Sequence, residues 1–232
     1  MMKSLWKLML GMVALSISLS VFSAEAQSQE AKSQEAKSQE AMINSQDPYA
    51  MVESVANKTF ARFHQDIDLI KSNPDHLKRI VSEELMPYID YKYAAYKVMG
   101  SHLRESTPEQ REAFAEAFKG YLIATYAQAF TEYTNQAVEF EPAKNFSNEK
   151  MVDVNVQIIE QGRPPIKLQF RARRLKDDSW KAFDLVAEGV SLLSSKSAEL
   201  TNLIRQQGID HVIGLLKQHG DSHISLQKKG SK

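Results

Sequence analysis

Two segments in the second half of the chain alternate strictly between apolar and polar residues. They are MVDVNVQII at positions 151–159 and IKLQFRARR at positions 166–174. A period of two is typical of a strand with one buried and one exposed face. The short connection EQGRPP between them supplies a turn, so the pair predicts antiparallel neighbours.

A third segment, SWKAFDLVAEGVSLL at positions 179–193, shows no polar face. With a period of two, Trp180, Ala182 and Val186 fall on one side and Phe183, Leu185 and Ala187 on the other. This pattern predicts a strand that is covered on both faces and that Gly189 breaks. Val138 and Phe140 mark a first strand, so we expect an antiparallel meander of about four strands.

Helical spacing of apolar residues surrounds this sheet region on both sides. Asp47 and Pro48 form an N-cap and first-turn pair, and Gly100 ends a helix that begins near residue 91. Thr107 and Gln110 form a capping box that opens the longest helix, which we expect to reach residue 133. Helices also follow the sheet at 191–207 and 209–217. This order predicts an α+β domain in which N-terminal and C-terminal helices wrap a curled antiparallel sheet.

The first 46 residues carry a different pattern. Lys3 and Lys7 precede an uncharged apolar run at 8–22 and a small-x-small site at 24–26, so residues 1–26 are predicted to be a cleaved signal peptide of an exported protein. Residues 27–46 hold a polar five-residue repeat and are predicted to be a linker. We place the folded domain at 47–218 and a polar C-terminal tail at 219–232. The chain has no cysteine, so we expect a core that is sufficient without disulfides.

Charge and motifs exclude several functions. The 29 basic residues balance the 29 acidic ones, which argues against a nucleic-acid surface. The six histidines have no metal-ligand spacing, and phosphate-loop and nucleophile-elbow motifs are missing from the sequence. The best catalytic candidate is Asp184 beside Tyr121 or Tyr126, but a strand aspartate more commonly bonds to its neighbours. We therefore predict a protein that is not an enzyme and needs no cofactor. The pattern alone fits both a filled and a hollow core.

Several segments together resemble the MlaC family of periplasmic phospholipid carriers, also known as the toluene-tolerance auxiliary family. They include DPYAMVESVANKTF, STPEQREAFAEAFKGYLIATYAQAF, GRPPIKLQFRAR and WKAFDLVAEGVSLL, and the likeness runs from about residue 47 to residue 217. The resemblance implies a cone-like fold related to nuclear transport factor 2, with an apolar cavity for phospholipid tails. It also implies location in the periplasm and two partners, namely an inner-membrane ABC-transporter complex with its substrate-binding-type subunit and an outer-membrane lipoprotein–porin complex.

On this basis we expect a phospholipid with two acyl chains to lie against one set of apolar side chains. The set comprises Leu122, Tyr126, Val154, Val156, Leu168, Phe170, Phe183, Leu185 and Val190. Two other functions share the same pattern: a periplasmic carrier of a different apolar ligand, and an interaction module that holds no ligand.

Overall fold

Helices occupy both ends of the described chain, and a sheet lies between them. The structure is a computed structural model that describes residues 43–133 and 136–226. The predicted α+β class and the antiparallel sheet are confirmed. The predicted signal peptide and residues 27–42 of the predicted linker lie outside the described residues.

The helices before the sheet are mostly short, with two long exceptions, α1 and α6. Their bounds are α1 Pro48–Gln65, α2 Ile67–Ser72, α3 His76–Ile80, a π-helical turn Val81–Leu85, a 3-10 turn Met86–Tyr88, α4 Tyr91–Met99, α5 His102–Glu105 and α6 Pro108–Phe130. After the sheet come α7 Leu192–Gln207 and α8 Ile209–Asp221. No helix within 43–133 or 136–226 has the length and apolar character needed to cross a membrane.

The predicted helix starts are confirmed by their hydrogen bonds. The Asp47 carboxylate accepts bonds from the backbone N–H groups of Tyr49 (2.9 Å) and Ala50 (3.1 Å). The Gln110 N–H donates to the Thr107 hydroxyl at 3.2 Å, and the Thr107 N–H donates to the Gln110 side-chain oxygen at 3.1 Å. These bonds satisfy N–H groups that have no partner inside the helix. Helix α6 ends at Phe130, three residues earlier than predicted.

The apolar residues Leu77, Ile80, Val81 and Leu85 predict a single helix that starts at 73–74 and that Pro87 stops, but the structure differs. Helix α3 ends at Ile80, and a π-helical turn follows before the 3-10 turn that contains Pro87. Within the π-helical turn Glu84 is buried, and Arg62 of α1 donates to its carboxylate at 3.2 Å. A wider turn inserts one residue, which changes the direction of the side chains that follow. The ion pair with α1 therefore accompanies a local irregularity that apolar periodicity does not encode.

The sheet is a plain meander with strand order β1-β2-β3-β4-β5 and antiparallel pairing throughout. Its strands are β1 Ala137–Phe140, β2 Met151–Ile159, β3 Ile166–Arg174, β4 Trp180–Ala187 and β5 Val190–Ser191. The bounds of β2 and β3 are those that the alternating pattern predicts. The two-residue β5 is a fifth strand, in addition to the approximately four strands that the sequence pattern predicts.

A β-bulge in β4 corrects the predicted side assignment. Arg171 pairs with Asp184 and Ala172 pairs with Ala182, so Phe183 is an additional residue between two ladder positions. Because a bulge shifts the alternation by one residue, Leu185 and Ala187 return to the face that carries Ala182. The strand looks apolar on both faces in sequence because its phase changes in the middle.

The folded domain extends beyond both predicted boundaries, 47 and 218. The boundary at residue 218 falls inside α8, and Ile224 beyond it is buried in the hydrophobic cluster that contains Phe63 and Ala127. At the other end, Ser45 of the predicted linker accepts a backbone hydrogen bond from Trp180 at 2.6 Å. Residues on both sides of 47–218 thus belong to the folded domain.

Candidate ligand cavity

A cavity of about 370 Å³ lies between the apolar face of the sheet and helices α1 and α6. Pockets that hold small organic ligands have volumes of about 300–1,000 Å³ and mostly apolar walls. The strands contribute Val138, Phe140, Val156, Ile158, Ile166, Leu168, Phe170, Ala182, Phe183, Asp184 and Leu185. The helices, the turn before Pro87 and the segment after α6 contribute Met51, Val52, Val55, Ala56, Thr59, Phe60, Leu85, Tyr88, Ile89, Tyr126, Ala129, Phe130, Glu132, Tyr133 and Gln136.

The strand register explains why these side chains meet. Val156 pairs with Leu168, and Ile158 pairs with Ile166, so all four project from one face of neighbouring strands. Beyond them Phe170 pairs with Leu185, which the bulge returns to this face. One strict apolar face, continued across three strands, forms the sheet wall of the cavity.

The cavity brings together six of the nine residues that the sequence analysis proposed for a ligand. They are Tyr126, Val156, Leu168, Phe170, Phe183 and Leu185. The other three, Leu122, Val154 and Val190, lie outside its lining.

Leu122 lies one helical turn before Tyr126 on α6. It packs against both hydrophobic clusters of the interior, one centred on Phe114 and Phe118 and the other on Phe63 and Ile80. The cavity lining includes Tyr126 but not Leu122, because Leu122 is surrounded by the side chains of these two clusters. Leu122 is therefore a packing residue.

Val154 projects from the same face as Val156, and both side chains are buried, at 1% and 2% exposed. Val154 lines a second, more polar pocket together with Tyr49 and Ala50 from the first turn of α1. The start of α1 covers this part of the sheet and separates Val154 from the cavity beside Val156.

Val190 pairs with Ala187 at the edge of the sheet and is 57% exposed. The two-residue β5 lies at the edge of the sheet. Val190 lies beyond the cavity wall, on the surface.

An aromatic group on α1 and the end of α6 forms the opposite wall, which the sequence analysis did not assign to the site. Phe60 stacks on Tyr133 with 4.4 Å between ring centroids, and Phe63 meets Phe130 edge-on at 4.8 Å. Phe60, Phe130 and Tyr133 line the cavity, and Phe63 is buried beside them. The high aromatic content of α1 and the end of α6 was the signal available in the sequence.

Few polar groups reach this interior. The Thr59 hydroxyl donates to the Val55 carbonyl of its own helix at 2.7 Å, so it is already paired. Burial, with a smaller contribution from the charge of Asp184, raises the pKa of Tyr126 to about 12. Tyr126 is thus a neutral phenol at physiological pH, and the walls near it carry no phenolate charge.

Asp184, the best catalytic candidate of the sequence, has partners for both carboxylate oxygens. The Ser191 hydroxyl donates to one at 2.7 Å, and the Leu193 N–H donates to the other at 3.0 Å. Arg171 on the neighbouring strand is 3.9 Å from the carboxylate. An anion at the first turn of α7 is favoured by the helix dipole. Tyr121 lies elsewhere, with its ring 4.6 Å from that of His219. This geometry is that of a structural cap for α7.

Comparison with known proteins identifies the family. The model of the family described as "MlaC protein" matches residues 53–218, which include all of the cavity lining except Met51 and Val52. The chain belongs to the MlaC family.

Relatives within and around the MlaC family are named for lipid transport and solvent tolerance. The chain is 34% identical over 184 residues to the intermembrane phospholipid transport system binding protein MlaC of Haemophilus influenzae, covering 78% of this chain and 86% of that protein. It is 22% identical over 169 residues to the toluene tolerance protein ttg2D of Pseudomonas putida, covering 72% and 78% of the two chains.

A solved structure resembles the fold of this MlaC-family chain. It is the phospholipid-binding protein from Ralstonia solanacearum in complex with a phospholipid, with a TM-score of 0.67 and 25% sequence identity. The alignment covers 75% of this chain and 97% of that one.

Proposed function

We propose that this protein is an exported periplasmic carrier that encloses phospholipid tails in the cavity between the sheet and α1. It takes up or delivers a glycerophospholipid at an inner-membrane ABC-transporter complex, through its substrate-binding-type subunit, and at an outer-membrane lipoprotein–porin complex. This exchange maintains the lipid asymmetry of the outer membrane. The observation that carries the proposal is the apolar cavity of about 370 Å³ in a fold shared with a phospholipid-bound protein.

The energetics of lipid transfer support a carrier. Each methylene group kept from water is worth about 0.8 kcal/mol, so two acyl chains in water would cost on the order of 20 kcal/mol. A cavity with apolar walls removes most of this cost. Tyr126, Val156, Leu168, Phe170, Phe183 and Leu185 are the residues that we propose to contact the tails.

The cavity also has a cost for the protein itself. Without a ligand its apolar lining stays in contact with water, so the stabilisation of about 25 cal/mol per Å² that burial of this surface would give is lost. A bound hydrocarbon chain removes this penalty and stabilises the native state. A cavity of this size in a domain without disulfides therefore favours a ligand as its normal content.

A carrier needs no catalytic side chain, and Asp184 is accordingly engaged in hydrogen bonds with Ser191 and Leu193. Balanced charge over the whole chain also supports the proposal. A polybasic surface would hold the protein on anionic leaflets, whereas a neutral protein leaves the membrane after delivery.

Native mass spectrometry of the full-length gene product, purified from the periplasm without detergent, tests this function. We expect one phospholipid per protein, identified after denaturation, and a protein mass that corresponds to a chain starting at Gln27. The same spectra separate the alternatives. A different apolar ligand would replace the phospholipid assignment, and a ligand-free mass that persists after incubation with phospholipid vesicles would contradict carriage altogether.

A further inference from the structure

We propose that Glu132 makes the cavity mouth selective for phospholipids whose head group carries an amine, in preference to anionic phospholipids. The inference rests on the proposed carrier function and specifies its substrate class. It follows from where the mouth lies and from which charges its walls contain.

The mouth is located by those lining residues that are also open to solvent. Ala129 and Glu132 at the end of α6 are exposed although they line the cavity. Ile166 at the start of β3 also lines the cavity and is 45% exposed. The entrance therefore lies where α6 ends and β3 begins, and the head group of a lipid with buried tails emerges there.

The charges in the lining are all negative. Among the described lining residues, Asp184 and Glu132 are acidic and none is lysine, arginine or histidine. Asp184 is buried and is already bonded to Ser191 and Leu193. Within residues 43–133 and 136–226, no hydrogen bond or ion pair involves the Glu132 carboxylate, although its backbone carbonyl accepts a bond from Gln136. Glu132 is thus the available charge at the mouth.

Cations near the start of β3 do not reverse this sign. In the β2–β3 connection, Arg163 pairs with Glu160 at 3.1 Å, so the pair is neutral as a unit. Lys167 follows Ile166 directly, and strand alternation places its side chain on the opposite face of the sheet. A lipid phosphate at the mouth consequently finds no lysine or arginine in the lining and remains in water.

Phospholipid head groups differ in the charge that they bring close to the Glu132 carboxylate. A zwitterionic head group with a primary amine carries an ammonium beyond the phosphate, which is attracted to the carboxylate. A phosphoglycerol head group offers no cation, and its net negative charge is repelled. Because the mouth is open to water, a contact between unit charges gives a preference of about fivefold, which salt screens.

The test is competition between two lipids for the delipidated protein. Vesicles of equal parts phosphatidylethanolamine and phosphatidylglycerol are incubated with the protein, and the bound lipids are counted by mass spectrometry. The variants are Glu132→Gln and Glu132→Lys. Glu139→Lys is the matched control, because Glu139 is exposed on the other face of β1 and the substitution changes the net charge by the same amount.

We expect the wild type and Glu139→Lys to be enriched about fivefold in phosphatidylethanolamine, with the enrichment reduced in high salt. Glu132→Gln should bind the two lipids about equally, and Glu132→Lys should prefer phosphatidylglycerol. Bound lipid that follows the vesicle composition in every variant would overturn the inference while leaving carriage intact. Enrichment that survives Glu132→Lys would overturn the role of this residue. Failure of the wild type to bind either lipid would instead contradict the carrier function on which the inference rests.

Discussion

The interior of this protein has two parts that are built from different residues. Between α4, α6, α7 and α8 the core is filled by buried side chains that range in size from alanine to phenylalanine. They are Ala94, Ala95, Val98, Met99, Phe114, Ala115, Ala117, Phe118, Leu200, Ile204, Val212, Ile213 and Leu216. Between the sheet, α1 and the end of α6, larger aromatic and aliphatic side chains surround a cavity of about 370 Å³. Apolar residues of ample size are present in both parts, so hydrophobicity alone does not decide which part is filled.

The difference lies in how closely the backbones approach. Where α6 and α8 meet, a Cβ atom on Gly220 would lie 3.0 Å from the Gly120 carbonyl carbon, so two glycines allow near contact of the helices. On the sheet side, the rings of Phe60 and Phe130 contact each other at 6.3 Å between centroids and face the strands across open space. The filled part can supply the stability that the hollow part lacks.

The largest expected effect comes from truncating one phenylalanine in each part. Phe114→Ala should lower the free energy of unfolding by about 3–5 kcal/mol, because Phe114 is fully buried and its loss opens a new void. Phe170→Ala should cost about 1 kcal/mol, because its side chain borders space that is already open. Urea denaturation of delipidated protein measures both values. Equal losses would mean that the two parts are packed alike.

Filling the cavity should remove the bound lipid without lowering the free energy of unfolding. Leu168→Trp places a larger side chain into the space between the sheet and α1, and cavity-filling substitutions commonly add about 0.5–2 kcal/mol. We expect the delipidated variant to be at least as stable as the wild type, and the protein purified from the periplasm to have lost most of its lipid.

The matched control for this variant is Gln169→Trp, one residue along β3 and on the opposite face. It introduces the same side chain outside the cavity and should leave lipid content at the wild-type level. Normal lipid content in Leu168→Trp would show that the tails do not occupy the space beside Leu168.

The sequence predicts the strands and helix starts of this structure better than it predicts the residues that line the cavity. Strands β2 and β3 follow from alternation alone, and the capping box at Thr107 marks the start of α6, because these signals are local. The bulge at Phe183 is not local in this sense. It depends on the pairing of β4 with β3, and a period of two continued through it assigns Leu185 to the wrong face.

Cavity residues are harder still, because lining and packing residues have the same apolar pattern. Val154 and Val156 are identical in type and share a face, yet α1 covers the first and leaves the second open to the cavity. Leu122 and Tyr126 differ in the same way along α6. What separates each pair is the distance to the opposite wall, which is set by tertiary packing.

The smallest effect is expected in the C-terminal segment that follows α8. Ile224 is buried in the hydrophobic cluster that also contains Phe63 and Ala127. Its N–H donates to the Asp75 carboxylate at 2.7 Å, and the His223 ring nitrogen Nδ1 lies 2.6 Å from the same group. The hydrogen bond from Ile224, together with the one from His223, holds the pKa of Asp75 below its usual value.

A depressed carboxyl pKa gives a definite sign to the pH dependence. Asp75 stabilises the native state above the unfolded-state pKa of about 3.9, and this contribution disappears as the pH falls through the lower native-state pKa. Asp75→Asn should therefore be less stable than the wild type at pH 7, and the difference should shrink below about pH 4. Urea denaturation at pH 7, 5 and 3.5 measures it, with Asp221→Asn, an exposed carboxyl at the end of α8, as the control. Lipid content at pH 7 should be unchanged, because Asp75 does not line the cavity. A difference between Asp75→Asn and wild type that grows towards low pH would contradict this assignment.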